Sequence, residues 1–311
     1  MRRLGFTLIE LIFVIVVMGI LSKFGVEFLA QAYNNFIYSS VNNSLQARSA
    51  TAVESIASRL QFRIKDSIIA REPGANLNNY QALSGSTYGD TATILEWVGS
   101  DIEGFRGESL PNWSGIIDLQ ASSTSSLNSP ETNTTALDTL IGVLSHGSGT
   151  GINNSAIYFV GSDSDINNYG WNGAALTDQT TSVMHPIRRS PNPGEEHLLI
   201  PTNGATGADN NFSGVDVFEY YQLAWTAYAV ELRDYDPTTQ TGNLWLNYDY
   251  QPWEGENYID DGKEFLLMEN VSTFRFKAIG SVVKVQVCVG SDIINGNVAG
   301  GYSICKEKTI Y

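Results

Sequence analysis

The most concentrated hydrophobic segment lies near the start of the chain. Residues 11–21 are uncharged and mostly apolar, and they follow Glu10 and a basic stub at residues 1–5. As a helix, residues 6–21 would measure roughly 24 Å, which is short of a hydrocarbon core of ~30 Å. A basic stub before an apolar run predicts insertion into a membrane with the N-terminus on the inner side.

Beyond Lys23 the hydrophobic pattern becomes amphipathic. Apolar residues recur at spacings of three or four, which places them on one face of a helix. These positions are Val53, Ile56, Leu60, Ile64 and Ile68. Pro73 and Gly74 then provide a strong stop signal. We predict a continuous stem helix of roughly 100 Å that ends near Arg71, with an apolar half at residues 6–30 and an amphipathic half at residues 31–72.

The middle of the chain, residues 75–214, has a loop-rich pattern. It is rich in Gly, Asn, Ser and Thr and contains only short runs typical of strands. The runs are residues 94–98, 116–119, 140–144, 157–160 and 198–200. Residues 122–135 are predicted to form an exposed loop. We therefore interpret residues 75–214 as a β-containing insertion between the stem and a terminal sheet.

Residues 215–311 show the clearest strand patterns. Residues 215–232 are rich in Val, Tyr, Phe and Trp, and valine alternates with other residues along 283–289. Such alternation is typical of an antiparallel sheet with one solvated face. The predicted fold class is therefore α+β, with a long N-terminal stem helix packed on an antiparallel head that holds two sheets and a large loop-rich insertion.

Charge argues against one class of partner. The chain of 311 residues has 33 acidic and 18 basic side chains and a net charge of −15. A phosphate-binding surface needs clustered Lys and Arg to displace counterions. Nucleic acid is therefore not an expected partner.

Two ordinary interpretations of the N-terminal segment leave residues unexplained. As a secretory signal peptide, the chain would be cut near Ala32, but Lys23 and Glu27 lie between the apolar run and that site. As a plain membrane anchor, the segment would carry the carboxylate of Glu10 into hydrocarbon, which is costly unless the group pairs or reaches the interface.

A third interpretation accounts for each of these residues. The sequence Gly5-Phe6-Thr7-Leu8-Ile9-Glu10 resembles the processing motif of type IV prepilins and type II secretion pseudopilins. The resemblance implies that a prepilin peptidase removes residues 1–5 as a leader by cutting between Gly5 and Phe6. It also implies N-methylation of the new amine of Phe6. Glu10 would then pair with the terminal amine of an adjacent subunit and set the axial register.

The same resemblance implies a function and a location. The chain is most similar to J-type pseudopilins or W-type minor pilins, which are structural subunits without catalysis. It would sit in the inner membrane with a cytoplasmic N-terminus and a periplasmic head, and the assembly platform would then move it into an extracellular or periplasm-spanning filament of pilins. We expect a place at the filament tip in assembly priming. The alternative is a tip adhesin that binds through residues 75–214.

The two cysteines and the acidic clusters are the remaining candidates for chemistry. Cys288 and Cys305 predict one disulfide in an exported head, worth roughly 3 kcal/mol by loop-closure entropy, although two free thiols remain the alternative. No cofactor is predicted. Two acidic clusters are weak calcium candidates, but both fit a solvated surface better. The first holds Asp163, Asp165 and Asn167, and the second holds Asp249, Glu254, Glu256, Asp260 and Asp261.

Overall fold

The protein is described by a computed structural model that covers residues 7–162, 164–290 and 303–311. The chain forms two compact units, Met1–Arg48 and Ser49–Tyr311. A long N-terminal helix is followed by two antiparallel sheets, so the α+β prediction is confirmed.

The helices and strands follow one another in a mixed order. The described helices are α1 (Leu8–Leu60), α2 (Ile102–Arg106) and α3 (Thr134–Leu144). The described strands are β1 (Ile69–Arg71), β2 (Tyr80–Ala82), β3 (Ile94–Gly99), β4 (Asp118–Ser123), β5 (Ser126–Asn128), β6 (Ala156–Phe159), β7 (His185–Arg189), β8 (Leu198–Pro201), β9 (Tyr221–Ala224), β10 (Thr226–Asp236), β11 (Thr241–Tyr250), β12 (Lys263–Ile279), β13 (Val282–Gly290) and β14 (Ser303–Ile310).

The strands assemble into a large and a small antiparallel sheet. The large sheet has the order β14-β13-β12-β11-β10-β3-β1-β2, and the small sheet has the order β4-β5-β8-β7-β6-β9. Within Ser49–Tyr311, one face of the last turns of α1 is buried, as at Ile56 and Leu60. Lys308 on β14 forms an ion pair with Glu54 on α1.

The stem helix ends earlier than its apolar spacing predicts. It stops at Leu60, so the predicted extension to residue 72 is wrong. The backbone N–H of Ile64 donates to the carbonyl of Val98 at 2.9 Å, which brings the chain into the large sheet. Asp66 then adopts a left-handed φ of 62°, which a helix does not allow. Ile64 and Ile68 are buried as their pattern predicts, but by sheet packing and not on a helix.

Two predictions for the middle region are also wrong. Residues 140–144, predicted as a strand, form the end of α3, and residues 122–135 include part of β4, all of β5 and the start of α3. The carboxamide of Asn133 accepts a hydrogen bond from the N–H of Ala136 at 3.0 Å and so caps α3. Leu137 and Ile141, four positions apart, are both fully buried. The helix therefore buries one narrow face, which a short apolar run does not reveal.

Each sheet contains strands from both sides of the boundary predicted at residue 214. β3, from the loop-rich region, lies between β1 and β10 in the large sheet, and β9, from the terminal region, pairs with β6 in the small sheet. Residues 75–214 therefore contribute to both sheets and are not a separate insertion.

Two hydrophobic cores can be described in the head. Trp253, Tyr250 and Trp171 belong to a core that also includes residues of β1, β3 and β10 from the large sheet and of β6 and β9 from the small sheet. Trp113 and Phe159 belong to the core of the small sheet, which also buries α3. Large aromatic side chains bury the most apolar area per residue, so they contribute strongly to both cores.

Cys288 and Cys305 form a disulfide between neighbouring strands. They lie directly opposite each other in the register of β13 and β14. The disulfide predicted from the two cysteines is therefore present. It attaches β14, the edge strand of the large sheet, to β13.

Removing the disulfide should lower the stability of the head. Replacing both cysteines in Cys288→Ser/Cys305→Ser should reduce the free energy of unfolding by about 3 kcal/mol, since the unfolded chain gains loop entropy. Urea unfolding followed by tryptophan fluorescence measures this change. The reduced wild-type protein is the control, and it should match the double variant. Equal stability of the oxidised protein and the double variant would contradict the prediction.

Candidate functional site

The N-terminal part of α1 presents an apolar surface to its surroundings. Among the described residues, α1 is the one helix long and apolar enough to cross a membrane, with a mean hydropathy of 2.3 over 18 residues. None of that window is buried within the protein. Phe13 is 70% exposed and Phe28 is also 70% exposed. A continuous exposed apolar surface of this kind needs lipid or other protein to cover it.

A carboxylate lies within this apolar surface. Glu10 is in the first turn of α1, where its Oε2 accepts hydrogen bonds from the backbone N–H and from the hydroxyl of Thr7, both at 2.9 Å. The Thr7 Oγ1 in turn accepts from the backbone N–H of Glu10 at 3.4 Å. This reciprocal arrangement is a capping box, and it satisfies N–H groups that the start of a helix leaves unpaired.

Thr7 is the functional residue that sequence reasoning missed. The signal was present, because a threonine three positions before a glutamate at the start of an apolar run is the pattern of a capping box. The cap places Glu10 in a defined position at the helix start. Gly5 and Phe6, the predicted cleavage and methylation residues, lie outside the described residues.

Comparison with known proteins supports this interpretation of the N-terminal segment. Residues 1–22 match the family model described as the prokaryotic N-terminal methylation motif. The chain carries the N-terminal signature of type IV pilins and pseudopilins. The resemblance predicted from the motif at residues 5–10 is thereby confirmed. No curated protein and no solved structure matches the chain.

The pilin signature implies assembly with other pilins and processing by a prepilin peptidase. The exposed apolar helix fits anchoring in a membrane. Together they indicate a pilin-like structural subunit. The finer likeness to J-type pseudopilins or W-type minor pilins stays a prediction.

The first calcium candidate forms a turn in the part of the chain that can be described. Asp163 lies outside the described residues. The Oδ1 of Asp165 accepts hydrogen bonds from the backbone and the side chain of Asn167, at 3.0 and 2.9 Å. Both bonds stabilise a short 3₁₀ turn. Over residues 7–162, 164–290 and 303–311, no group of three His, Cys, Asp or Glu side chains is placed to hold a metal.

The carboxylates of the second acidic cluster bond to different residues of this chain. Asp249 forms an ion pair with Lys263 at 3.1 Å, and Glu254 accepts a hydrogen bond from Asn154 at 3.0 Å. Asp261 caps a turn by accepting from the backbone N–H of Asn257. These contacts join β11 to β12 and join the loop between them to Asn154, which lies just before β6. The carboxylates therefore act here as hydrogen-bond acceptors that hold the loop.

The same cluster makes stability depend on pH. Burial raises the pKa of Glu256 to about 7, and the nearby Glu254, Asp261 and Asp249 contribute to the rise. The folded protein therefore binds this proton more tightly than the unfolded chain, whose pKa is near 4.5. The resulting stabilisation is present below pH 4.5 and is lost as the pH rises through about 7.

Glu256→Gln should remove part of this pH dependence. The amide oxygen can still accept from the backbone N–H of Gln251, which donates to Glu256 at 2.8 Å. We expect the urea midpoint of the wild type to fall more between pH 5 and pH 8 than that of the variant. Glu195→Gln is the control, because hydrogen bonds from Ser190 and Asn192 lower the pKa of that exposed carboxyl. Parallel pH curves for Glu256→Gln and the wild type would contradict the assignment.

A buried ion pair lies where β1 meets β3. The guanidinium of Arg71 bonds to the carboxylate of Glu96, and both side chains are nearly inaccessible to solvent. Tyr250 donates its hydroxyl to Glu96 at 3.2 Å, and Arg71 also donates to the carbonyl of Trp171 at 2.8 Å. Burial raises the pKa of Glu96, and the guanidinium opposes the rise. The pair connects the large sheet to the loops that cover it.

The buried histidine belongs to the core. The Nδ1 of His185 lies 2.8 Å from the side-chain oxygen of Gln179, and its ring contacts Phe159. Burial lowers the pKa of His185 to about 3, so the imidazole is neutral at physiological pH. Its surroundings are those of a packed side chain.

Proposed function

We propose that this protein is a minor pilin or pseudopilin that assembles through its N-terminal helix into a type IV pilus-like filament. The observation that carries the proposal is a single segment with two properties. Residues 1–22 match the methylation motif, and the helix that starts within them exposes its apolar surface. The protein has a structural role in this proposal and no catalysis of its own.

Processing would create the group that Glu10 binds. A prepilin peptidase would cut between Gly5 and Phe6 and methylate the new amine of Phe6. The amine carries a positive charge, and opposite charges attract far more strongly in an apolar helix bundle than in water. The capping box holds the carboxylate of Glu10 at the start of the helix. We propose that this carboxylate pairs with the amine of an adjacent subunit and sets the register between subunits.

The size of the head supports a minor role. Ser49–Tyr311 forms one compact unit, and its described strands form two sheets. A large head limits how closely neighbouring subunits approach around a helical filament. We therefore propose that the protein is present in few copies, at the filament tip, where it helps to prime assembly. Equal abundance of this protein and the main subunit in purified filaments would contradict the minor role.

Mass spectrometry of the mature N-terminus tests the proposed processing. The protein isolated from its native membrane should begin at N-methylated Phe6, without residues 1–5. Coexpression with and without a prepilin peptidase provides the control, and only the sample with peptidase should be processed. Native protein that retains Met1 to Gly5 would rule out the proposal.

A further inference from the structure

β12 is longer than the strand that pairs with one of its edges. β11 pairs with β12 between Lys263 and Val271, whereas β13 continues the pairing as far as Ile279. Residues 272–279 therefore have one edge paired with β13. No strand of the described chain occupies the other edge.

The turn after β12 determines which backbone groups face the open edge. The two residues that follow Ile279 form a tight hairpin turn, with Gly280 at a φ of 61°. In such a hairpin the flanking residues exchange hydrogen bonds, so every second residue from Ile279 points its backbone groups toward β13. Phe274, Phe276 and Ala278 therefore direct N–H and C=O toward the open edge. No backbone hydrogen bond from elsewhere in the described residues reaches these three.

A cleft of about 790 Å³ borders residues 272–277 and Ile279 of β12 and extends over residues 284–286 and Glu307 of the neighbouring strands. Its opposite wall includes residues from the loop at 83–93 together with Ala70 and Leu232. Phe274 is only 5% exposed, so its unpaired backbone groups are largely shielded from bulk water. A shielded N–H or C=O without a partner costs free energy, which favours a ligand that supplies backbone hydrogen bonds.

The cleft has a surplus of positive charge although the protein is acidic. Its carboxylates, Asp90 and Glu307, are already paired with Arg275 at 3.2 Å and with Lys284 at 2.6 Å. Lys277 also lines the cleft and has no ion pair within the described residues. The chain as a whole has a net charge of −15. The local charge therefore favours acidic side chains in a ligand.

We propose that this edge of β12 binds an extended segment of a second protein, which adds to the large sheet as a further strand. Backbone hydrogen bonds to Phe274, Phe276 and Ala278 would supply affinity, as in other complexes formed by strand addition. Side chains of a strand alternate between its faces. The bound segment therefore has apolar side chains toward Leu232 and acidic side chains toward Lys277.

The loop at residues 83–93 borders the cleft beside this edge. The ion pair between Asp90 and Arg275 joins the loop to β12. Open sheet edges otherwise pair with one another and aggregate, and proteins cover them or place charges on them. The loop and the charged side chains of Arg275 and Lys277 provide such protection here.

Binding of a designed peptide tests the proposal. The full chain in detergent micelles, with its disulfide intact, is titrated against a fluorescent octapeptide of alternating valine and glutamate. We expect saturable binding with one peptide per chain. A peptide with alternate backbone amides N-methylated should bind about tenfold more weakly or less, because it cannot donate those hydrogen bonds. A valine–lysine peptide should also bind more weakly.

Proline variants locate the binding edge. Ala278→Pro removes an N–H that points to the open edge of β12 and leaves the β13 pairing intact, so the affinity for the valine–glutamate peptide should fall about tenfold or more. Thr309→Pro is the matched control. Lys284 lies opposite Thr309 and directs its backbone N–H and C=O toward β12. The backbone N–H and C=O of Thr309 therefore point away from β13, outward from the edge strand β14. This variant should retain wild-type affinity.

A charge reversal keeps the test decisive if a proline variant fails to fold. Lys277→Glu should lower the affinity for the valine–glutamate peptide and raise the affinity for the valine–lysine peptide. Equal affinity of Ala278→Pro and the wild type would overturn the proposal, as would loss of binding in Thr309→Pro or an unchanged preference in Lys277→Glu. Self-association that blocks the peptide and disappears in Ala278→Pro would show that a second copy of the chain occupies the cleft, which also overturns it.

Discussion

Glu10→Ala is expected to reduce incorporation into filaments roughly a hundredfold, because the proposed pairing of Glu10 with the amine of Phe6 would be a buried ion pair, and removing one partner of such a pair costs about 3 kcal/mol or more. The variant would leave the amine of Phe6 unpaired among apolar helices. The residue is not needed to make the apolar surface, which extends over the following turns of α1. We therefore expect normal membrane insertion and a loss at the assembly step. Quantitative immunoblots of purified filaments and of the membrane fraction measure both quantities.

Two further variants separate the charge of Glu10 from its role in capping. Glu10→Gln keeps a side-chain oxygen for the capping box with Thr7 but has no charge, and it should also fail to assemble. Glu27→Ala is the matched control on the same helix, since Glu27 is exposed and only 4.0 Å from Lys23 in a surface pair. It should assemble normally. Normal incorporation of Glu10→Gln would assign the effect to capping, and normal incorporation of Glu10→Ala would remove the register role.

Arg71→Met is expected to lower the free energy of unfolding of the head by about 3–5 kcal/mol. The substitution leaves the carboxylate of Glu96 buried without its counter-charge, and it also removes the donor to the carbonyl of Trp171. The methionine retains much of the apolar stem of arginine, so packing contributes less to the loss than charge does. Urea unfolding followed by tryptophan fluorescence measures the change, because Trp171 lies beside the pair.

A double variant and a surface variant test this explanation. Arg71→Met/Glu96→Gln should recover about 1–2 kcal/mol relative to Arg71→Met, since no uncompensated charge remains and the amide can still accept from Tyr250. Arg188→Met breaks the ion pair with the exposed Asp209 and should cost less than about 1 kcal/mol. A double variant that is less stable than Arg71→Met would show that the carboxylate of Glu96 is stabilising on its own.

The N-terminal segment was predictable because its signals are local. A basic stub, a hexapeptide motif and an apolar run occupy consecutive positions, so no tertiary contact is needed to recognise them. The alternation along β13 is similarly local, and it predicted a strand with one buried face. The capping box is local too, because Thr7 precedes Glu10 by three positions at the start of the apolar run.

The end of α1 was not predictable from spacing. Ile64 and Ile68 continue the pattern of the helix, and both are buried, yet tertiary pairing places them in the sheet region. Spacing of four satisfies a helix and also two residues on the same face of an extended chain. The hydrogen bond from Ile64 to Val98 decides between them, and its two partners are far apart in sequence.

The contribution of residues 75–214 to both sheets was hidden for the same reason. β3 pairs with β10 in the large sheet. The local pattern of residues 94–98 does not indicate which strand is its partner. A deletion of residues 75–214 would therefore remove part of the large sheet. The adhesin alternative is better tested by surface substitutions on the small sheet, which leave β3 in place.

The position of β3 has a consequence for how the head matures. Ile94 pairs with Glu231, and the edge strand β14 comes from the last residues of the described chain. Contacts between such distant segments form late, because closing a long loop costs entropy before the contacts repay it. On the proposed topology, with a periplasmic head, the polypeptide would thus cross the bilayer in an extended, unfolded form. It would acquire its native form only after export is complete, when the opposite compartment supplies the oxidant for Cys288 and Cys305.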